Sequence, residues 1–186
     1  MHFGQIHFIV KKFECWYTFQ ILQGGLYMTT AVFPGSFDPP TYGHLNIIER
    51  ASRLFDSIDV VIAVNPNKQY LFSDDERFEM MKALTEPYKN VTVHKCTSLI
   101  VDYCKQVNAK VLLRGIRNTN DFAYEFDLSL MNRSLNGDVE TLFIPTEQRY
   151  VIVRSSNIKE LAQFGGDLTG MVPPVVAQAL KQKYHN

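Results

Sequence analysis

The stretch that decides the fold runs from Val32 to His44 and reads VFPGSFDPPTYGH. It opens as an apolar strand, continues as a turn rich in glycine and proline, and ends where a helix begins near Thr41. The first turn of a helix presents unpaired backbone N–H groups and the positive end of the helix dipole. Such a helix start binds phosphate groups, and His44 adds a side-chain donor beside it. The segment therefore predicts a phosphate-binding strand–turn–helix unit with His44 at the reacting group.

From Met28 onward, apolar strand patterns alternate with amphipathic helix patterns. The predicted strands are Ala31–Phe33, Asp59–Val64, Val91–His94, Lys110–Leu113 and Val139–Ile144. Helices are predicted from Thr41 to Phe55, after a capping box at Ser73, from Ile100 to Val107, from Asp121 to Leu135, and over Asn157–Phe164 and Pro174–Tyr184. In the helix from Asp121, the spacing predicts that four apolar residues face the core: Phe122, Phe126, Leu130 and Met131. The alternation predicts one α/β domain with a Rossmann-like, doubly wound, five-stranded parallel sheet.

Bulk composition narrows the class of protein. The chain has 186 residues, with 19 basic and 19 acidic side chains, and this balance disfavours nucleic-acid binding. Its three cysteines form no CxxC pair, and their odd, sparse count is typical of a reducing compartment. Cys104 falls on the apolar face of a predicted helix and is expected to fill the core. The uncharged run from Cys15 to Phe37 is broken by polar residues and glycines, so neither a membrane span nor a signal peptide is expected.

Residues 1–27 differ from the remainder, since they are crowded with aromatic residues but show no clean helical or strand period. We interpret them as an N-terminal extension or a start-site misassignment, with the domain proper spanning residues 28–186. The alternative is an extra strand or a partner-binding arm. A mature N-terminus found at Met1 by mass spectrometry would contradict the start-site interpretation.

Ligands bind to parallel sheets of this kind beyond the carboxyl ends of the strands. Polar and basic segments follow four of the predicted strands: Gly35 to His44, Asn65 to Lys68, Arg114 to Arg117 and Thr146 to Ser156. Attack at a nucleotide phosphate requires charge neutralisation and alignment, which His44, Lys68 and Arg114 could supply. No carboxylate cluster in the sequence demands a protein-built metal site, so a metal ion would arrive with a triphosphate.

Each candidate also has a purely structural explanation. In chain order these are a turn at Asp38, a helix cap at His44, a solvated loop charge at Lys68 and a helix cap at Ser156. Asp121 and Glu125 lie four residues apart on one helix face, which fits a solvated acidic face as well as a site. Arg114 and Arg117 flank a glycine directly after a strand, and structure alone seldom requires that pattern.

Several motifs resemble those of a known family, in order and with matching spacing from Met28 to about Lys183. The segment from Gly35 to His44 is similar to the T/HxGH signature of the nucleotidyltransferase superfamily, which by itself specifies only the superfamily. The full set resembles bacterial phosphopantetheine adenylyltransferases: LRGIR at 113–117, DFxYE at 121–125, MNR at 131–133 and SSxxKE at 155–160.

The resemblance implies adenylyl transfer from ATP to 4′-phosphopantetheine, which gives dephospho-coenzyme A and pyrophosphate in the penultimate step of coenzyme A synthesis. It implies that His44 is the catalytic residue and that the acceptor phosphate attacks the α-phosphorus directly. The ATP-binding residues it implies are Ser36, Phe37, His44, Gly115, Ile116, Arg117, Glu125, Tyr150, Val151, Ile152, Val153, Arg154, Ser155 and Ser156. The acceptor-binding residues it implies are Ser36, Lys68, Ile100 and Arg114. It further implies a cytoplasmic homohexamer that uses Mg²⁺ and responds to feedback from coenzyme A.

Two positions depart from the family pattern. Arg154 stands where family members often carry serine, so its guanidinium could strengthen ATP binding or point into solvent. Tyr150 stands where tryptophan is frequent, and it still permits stacking on adenine.

Two other functions remain open from the sequence. Nicotinate or nicotinamide mononucleotide adenylyltransferases share the GxFDPxxxGH segment but usually carry histidine where Thr41 stands. A non-catalytic nucleotide sensor could use the same fold. The LRGIR motif with Tyr124 and Glu125 favours the phosphopantetheine enzyme.

Overall fold

The computed structural model describes residues 29–185, which contain one five-stranded sheet. The strands are β1 (Thr30–Gly35), β2 (Ser57–Ala63), β3 (Val91–Cys96), β4 (Val111–Ile116) and β5 (Glu140–Pro145). Their order is β3-β2-β1-β4-β5, and every neighbouring pair is parallel. The predicted N-terminal extension, residues 1–27, lies outside the described residues.

Helices connect the strands and complete the fold. They are α1 (Tyr42–Ala51), α2 (Asp74–Thr85), α3 (Ile100–Gln106), α4 (Thr119–Leu135), α5 (Ser155–Gln163) and α6 (Pro174–His185), with a 3₁₀ turn at Gln148–Tyr150. The predicted α/β, Rossmann-like parallel sheet is therefore confirmed. Because the chain builds outward from β1 to β3 on one side and from β4 to β5 on the other, the strand order reverses between β1 and β4. Ligand sites in open parallel sheets form at this reversal.

Apolar side chains cover both faces of the central strands. On β1, Val32 and Phe33 belong to separate buried clusters, as expected for a strand covered on two sides. Cys104 fills the second cluster and is fully buried, as predicted for a core position. A third cluster joins α5 and α6 around Ile158 and Leu180.

The prediction that the apolar residues of α4 face the core is wrong. Phe122, Phe126, Leu130 and Met131 are 42%, 45%, 55% and 59% exposed, and no residue of α4 is buried. The spacing correctly marks an apolar helix face. A sequence pattern does not say what covers such a face, and the rest of this chain, within the described residues, leaves it open.

Several predicted helix boundaries also shift, and α4, for example, begins at Thr119, two residues before the predicted Asp121. Helix α1 ends at Ala51 and not at Phe55. The amide of Asn90 donates to the carbonyls of Ser52 and Phe55, at 2.9 Å each, and so holds the chain after α1 in a turn. Helix α5 begins at Ser155, two residues earlier than predicted.

Candidate active site

A cavity of about 500 Å³ opens beyond the carboxyl ends of β1 and β4, where the strand order reverses. Four cationic side chains line it: Lys68, Arg114, Arg117 and Arg154. The N-terminal turns of α1 and α5 border the same space. Two other clefts, of about 600 and 750 Å³, lie between the 165–170 loop and α6 and between α2 and β3, away from this convergence.

Most of the predicted site residues meet at this cavity. Those that line it are Ser36, His44, Lys68, Arg114, Gly115, Arg117, Glu125, Tyr150, Val153, Arg154, Ser155 and Ser156. Phe37, Ile116, Val151 and Ile152 do not line it. Ile100 lines an adjoining cavity of about 180 Å³, which shares Pro34, Arg114 and Glu125 with the first. Thr146, the first residue of the segment predicted after the fifth strand, also lines the main cavity, as does Ile47, which sequence reasoning did not single out.

The turn after β1 owes its shape to Gly35 and Phe37. A Cβ on Gly35 would lie 2.8 Å from Cζ of Phe37, so only glycine lets that ring fold back under the turn. Phe37 has a φ of 46°, a left-handed conformation that non-glycine residues seldom adopt. Its ring is buried and meets the His44 ring edge-on, with the centroids 5.0 Å apart. The Phe37 side chain thus supports His44 from the core.

His44 combines a capping role with a place at the cavity. It is the third residue of α1, and its Nδ1 accepts a hydrogen bond of 3.1 Å from the backbone N–H of Thr41. The hydroxyl of Thr41 lies 3.0 Å from the same nitrogen. Because a backbone N–H can only donate, Nδ1 is an acceptor, and the proton of the neutral ring sits on Nε2.

The environment of His44 keeps its imidazole neutral. The pKa of His44 is lowered from 6.5 to about 4. Burial is the larger cause, and the positive charge of Arg117 is the second. At neutral pH the residue is therefore an uncharged hydrogen-bond donor. The cap proposed as its structural alternative is present, and the same ring also lines the cavity.

Paired carboxylates orient the arginines of the cavity. Glu125 accepts two hydrogen bonds from Arg114, at 2.6 and 2.5 Å, while a third nitrogen of Arg114 donates to the carbonyl of Pro34 at 3.1 Å. Asp121 accepts from Arg117 at 2.7 Å and lies 3.8 Å from Arg154. Asp121 and Glu125 therefore do not form a solvated acidic face, because both point at site arginines and are largely buried.

The start of α5 is packed against the start of α1. Ser155 donates to the carbonyl of Pro39 at 2.9 Å. A Cβ on Gly43 would lie 3.7 Å from both Cβ of Tyr150 and the carbonyl oxygen of Val153, so the segment before α5 lies directly against the first turn of α1. Ser156 lies within the first turn of α5 and is not its N-cap, a position that Arg154 occupies.

Asp38 does more than form a turn. It is 3% exposed and accepts hydrogen bonds from the backbone N–H groups of Leu71 and Phe72, at 3.1 and 3.0 Å. The ammonium of Lys159, on α5, donates to it at 2.7 Å. Asp38 thus ties the turn after β1 to the segment before α2 and to α5. The lysine in the SSxxKE motif was the available signal for this tie.

The donor set of the cavity does not form a metal cage. Within residues 29–185, no group of three or more His, Cys, Asp or Glu side chains is placed to hold a metal ion. The two carboxylates at the cavity are each engaged by arginine. This arrangement fits a magnesium ion held mainly by phosphate oxygens and water. In the same part of the chain, no helix is long and apolar enough to cross a membrane.

A family model and two solved structures are similar to this chain. The cytidylyltransferase-like family model matches residues 32–161. A putative nicotinate-nucleotide adenylyltransferase from Vibrio parahaemolyticus shares the fold with a TM-score of 0.62 at 19% identity, covering 82% of this chain and 97% of that chain. Plasmodium falciparum nicotinic acid mononucleotide adenylyltransferase, complexed with NaAD, has a TM-score of 0.61 at 16% identity, covering 85% and 96%. Fold and site together define a nucleotidyltransferase of the cytidylyltransferase-like class.

Curated relatives narrow the class to a family. A phosphopantetheine adenylyltransferase from Caldanaerobacter subterraneus subsp. tengcongensis is 46% identical over 157 residues, which are 84% of this chain and 98% of the relative. A relative of the same name from Desulfatibacillum aliphaticivorans is 49% identical over 83% of this chain and 88% of its own length. Another, from Clostridium botulinum, is 45% identical over 86% of this chain and 97% of its own length. The chain belongs to the phosphopantetheine adenylyltransferase family.

Proposed function

We propose that this protein transfers the adenylyl group of ATP to the phosphate of 4′-phosphopantetheine, giving dephospho-coenzyme A and pyrophosphate. The observation that carries the proposal is the convergence of a neutral histidine, two helix N-termini and four cations on one cavity. Relatives of 45% to 49% identity that bear the name of this activity support the choice of acceptor.

His44 stabilises the transition state in this proposal. An oxygen of the acceptor phosphate attacks the α-phosphorus of ATP. The bond from that phosphorus to the oxygen that bridges the α- and β-phosphates breaks, and pyrophosphate leaves with the electron pair. Negative charge then grows on the oxygens of the transferring group. The Nε2–H of neutral His44 donates to one of them, and a donor held in place beforehand requires no reorganisation as the charge develops. The ring neither gains nor loses a proton.

The triphosphate lies against Arg117, Arg154 and the start of α5. The carboxylate of Asp121 accepts a 2.7 Å hydrogen bond from Arg117 and forms an ion pair with Arg154 at 3.8 Å. Both guanidiniums are therefore positioned before the nucleotide binds. Ser155 and Ser156 contribute the N-terminal turn of α5, whose N–H groups suit phosphate oxygens. The adenosine occupies the side of the cavity lined by Tyr150 and Gly115.

The acceptor lies against Lys68 and Arg114. Both cations line the main cavity, where they neutralise the attacking phosphate. The adjoining cavity beside Ile100 then takes the pantetheine arm, because it opens from the same Arg114 and Glu125. Glu125 acts in this account by holding Arg114 in a two-bond pair.

Mg²⁺ belongs to the proposal as the ion that neutralises the triphosphate. When bound, it would supply charge neutralisation at the phosphate oxygens. The residues of this chain bind and orient the two substrates around it.

The open face of α4 supports self-association. An apolar strip is exposed on α4 and consists of Phe122, Phe126, Leu130 and Met131. Nearby in the fold order, Leu142 on the edge strand β5 is 45% exposed. A contiguous apolar strip of this kind marks an interaction surface, and a second copy of this chain is the occupant we propose. Family resemblance extends this to a cytoplasmic homohexamer. Coenzyme A contains the same phosphopantetheine arm as the acceptor, so it would compete for the cavity as a feedback inhibitor.

Release of pyrophosphate from ATP and Mg²⁺ tests the function when it is measured with different acceptors. The full chain should release pyrophosphate with 4′-phosphopantetheine and not with nicotinate mononucleotide or water. Activity confined to the mononucleotide would favour the nicotinate enzyme. Absence of activity with every acceptor, together with ATP binding by calorimetry, would favour a nucleotide sensor.

A further inference from the structure

Among residues 29–185, Arg77 has the largest fully buried side chain. It lies beside the turn that borders the cavity. It belongs to α2 and is 1% exposed. Its guanidinium donates to the carbonyls of Ser36 at 2.7 Å, Ser73 at 3.3 Å and Ala63 at 3.4 Å. Throughout the described part of the chain, no carboxylate lies within ion-pair distance of it.

A buried cation without a carboxylate is costly unless its donors are satisfied. The carbonyls that satisfy Arg77 therefore show what the residue holds. Ser36 lies in the turn between β1 and α1, directly before Phe37 with its left-handed φ of 46°. Ala63 is the last residue of β2, and the chain that follows it carries Lys68. Arg77 therefore joins the turn after β1, which lines the phosphate cavity at Ser36, to the end of β2.

Tyr70 extends this connection to Lys68. The guanidinium carbon of Arg77 lies 4.0 Å from the centroid of the Tyr70 ring, and the ammonium of Lys68 lies 5.5 Å from that centroid. The Tyr70 hydroxyl donates to the carbonyl of Ala63 at 3.4 Å and accepts from the backbone N–H of Asn65 at 3.3 Å. The ring thus lies between the buried guanidinium and the loop that presents Lys68.

We propose that Arg77 is a positioning residue for adenylyl transfer. It fixes the backbone of Ser36, which lines the cavity together with His44, and, through Tyr70, the loop that presents Lys68 to the acceptor phosphate. Arg77 touches neither substrate and acts only through these groups. The inference rests on the proposed function, because that function assigns Lys68 to the acceptor.

Four variants of the full chain test the proposal: Arg77→Met, Arg77→Lys, Tyr70→Phe and, as a control, Lys82→Met, which removes an exposed cation from the same helix. Arg77→Met should lower kcat about a hundredfold, the loss expected from a misplaced site. Arg77→Lys keeps the charge but not the fork of donors, so it should restore kcat only in part. Tyr70→Phe keeps the ring and frees the loop, so it should raise KM for 4′-phosphopantetheine and leave KM for ATP unchanged. Lys82→Met should match wild type.

Kinetics measured well below each variant's unfolding midpoint separate positioning from structure. A lower midpoint with wild-type kcat and KM in Arg77→Lys and Tyr70→Phe would overturn the proposal. If Arg77→Met does not fold, these two variants decide by the same criterion. If wild type itself transfers no adenylyl group, the proposed function fails on that result alone. Calorimetry with 4′-phosphopantetheine then decides whether Arg77 positions the Lys68 loop, since weaker binding in Arg77→Lys supports that role and equal binding overturns it.

Discussion

The backbone N–H of Thr41 donates to Nδ1 of His44 across 3.1 Å, and this bond fixes which ring nitrogen carries the proton. A capping box usually places Glu or Gln at the third helical position. A histidine there caps the helix with one nitrogen and keeps the other as a donor toward the cavity. The capping geometry of α1 therefore also sets the tautomer of the proposed catalytic residue.

The protonation of His44 gives a first prediction. With a pKa of about 4, the His44 ring should stay neutral from pH 8 down to about pH 5, so its protonation should not lower kcat over that range. An unfolded chain takes up the proton near pH 6.5, so stability should fall as pH drops from 6.5 toward 4. Titration of the ring signals by NMR measures the pKa directly. A value near 6.5 would contradict the role of burial, and His44→Gln, which retains a capping side chain, should flatten the stability profile over this range.

Arg114 gives a prediction about the acceptor. Arg114→Ala should weaken binding of 4′-phosphopantetheine about thirtyfold, since charge-assisted hydrogen bonds contribute about 2 kcal/mol. Calorimetry measures the change, with Arg53→Ala, an exposed arginine away from the cavity, as the control. Arg114→Ala also leaves Glu125 unpaired. If the loss comes only from repulsion by that carboxylate, Arg114→Ala with Glu125→Gln will restore full affinity and remove Arg114 from the acceptor site.

Asp38 gives a prediction about stability. Removing one partner of a buried ion pair costs about 3 kcal/mol or more, so Asp38→Ala should lower the free energy of unfolding by about that amount. Lys159→Met should cost less, because the lysine side chain is 29% exposed. Urea unfolding of both variants and of the double variant measures their coupling. Additive losses would show that the 2.7 Å contact contributes no interaction energy.

The apolar face of α4 gives a prediction about assembly. Phe126→Glu should dissociate the proposed assembly into smaller species in analytical ultracentrifugation, because it places a charge in the apolar strip that the second copy would cover. Leu54→Glu, at a 72% exposed position after α1, should leave the assembly intact. A wild-type protein that sediments as a monomer would remove the basis for this surface.

Local patterns in the sequence predicted the sheet well. The strand–turn–helix unit from Val32 to His44 and the capping box at Ser73 both form, because short-range backbone chemistry determines them. The rule that ligands bind at strand ends also predicted that Lys68 and Arg114 would lie near each other, and both line one cavity.

Long-range pairing was beyond the same patterns. The bond between Arg114 and Glu125 and the tie from Asp38 to Lys159 join residues whose contact depends on the finished fold. The buried position of Arg77 gave no sequence signal either, since arginine in a helix ordinarily lies on the surface. On α4, the apolar pattern was clear but its partner was not.

The kinetics of His44→Ala test the account most directly. Loss of one donor to the transferring phosphate should lower kcat about a hundredfold, or about 3 kcal/mol, with little change in KM for ATP. Thr41→Val is the matched control, because it removes the capping hydroxyl and keeps the N–H that fixes the His44 ring. We predict near wild-type kcat for Thr41→Val and the hundredfold loss for His44→Ala in dephospho-coenzyme A formation. An unchanged kcat in folded His44→Ala would contradict the account.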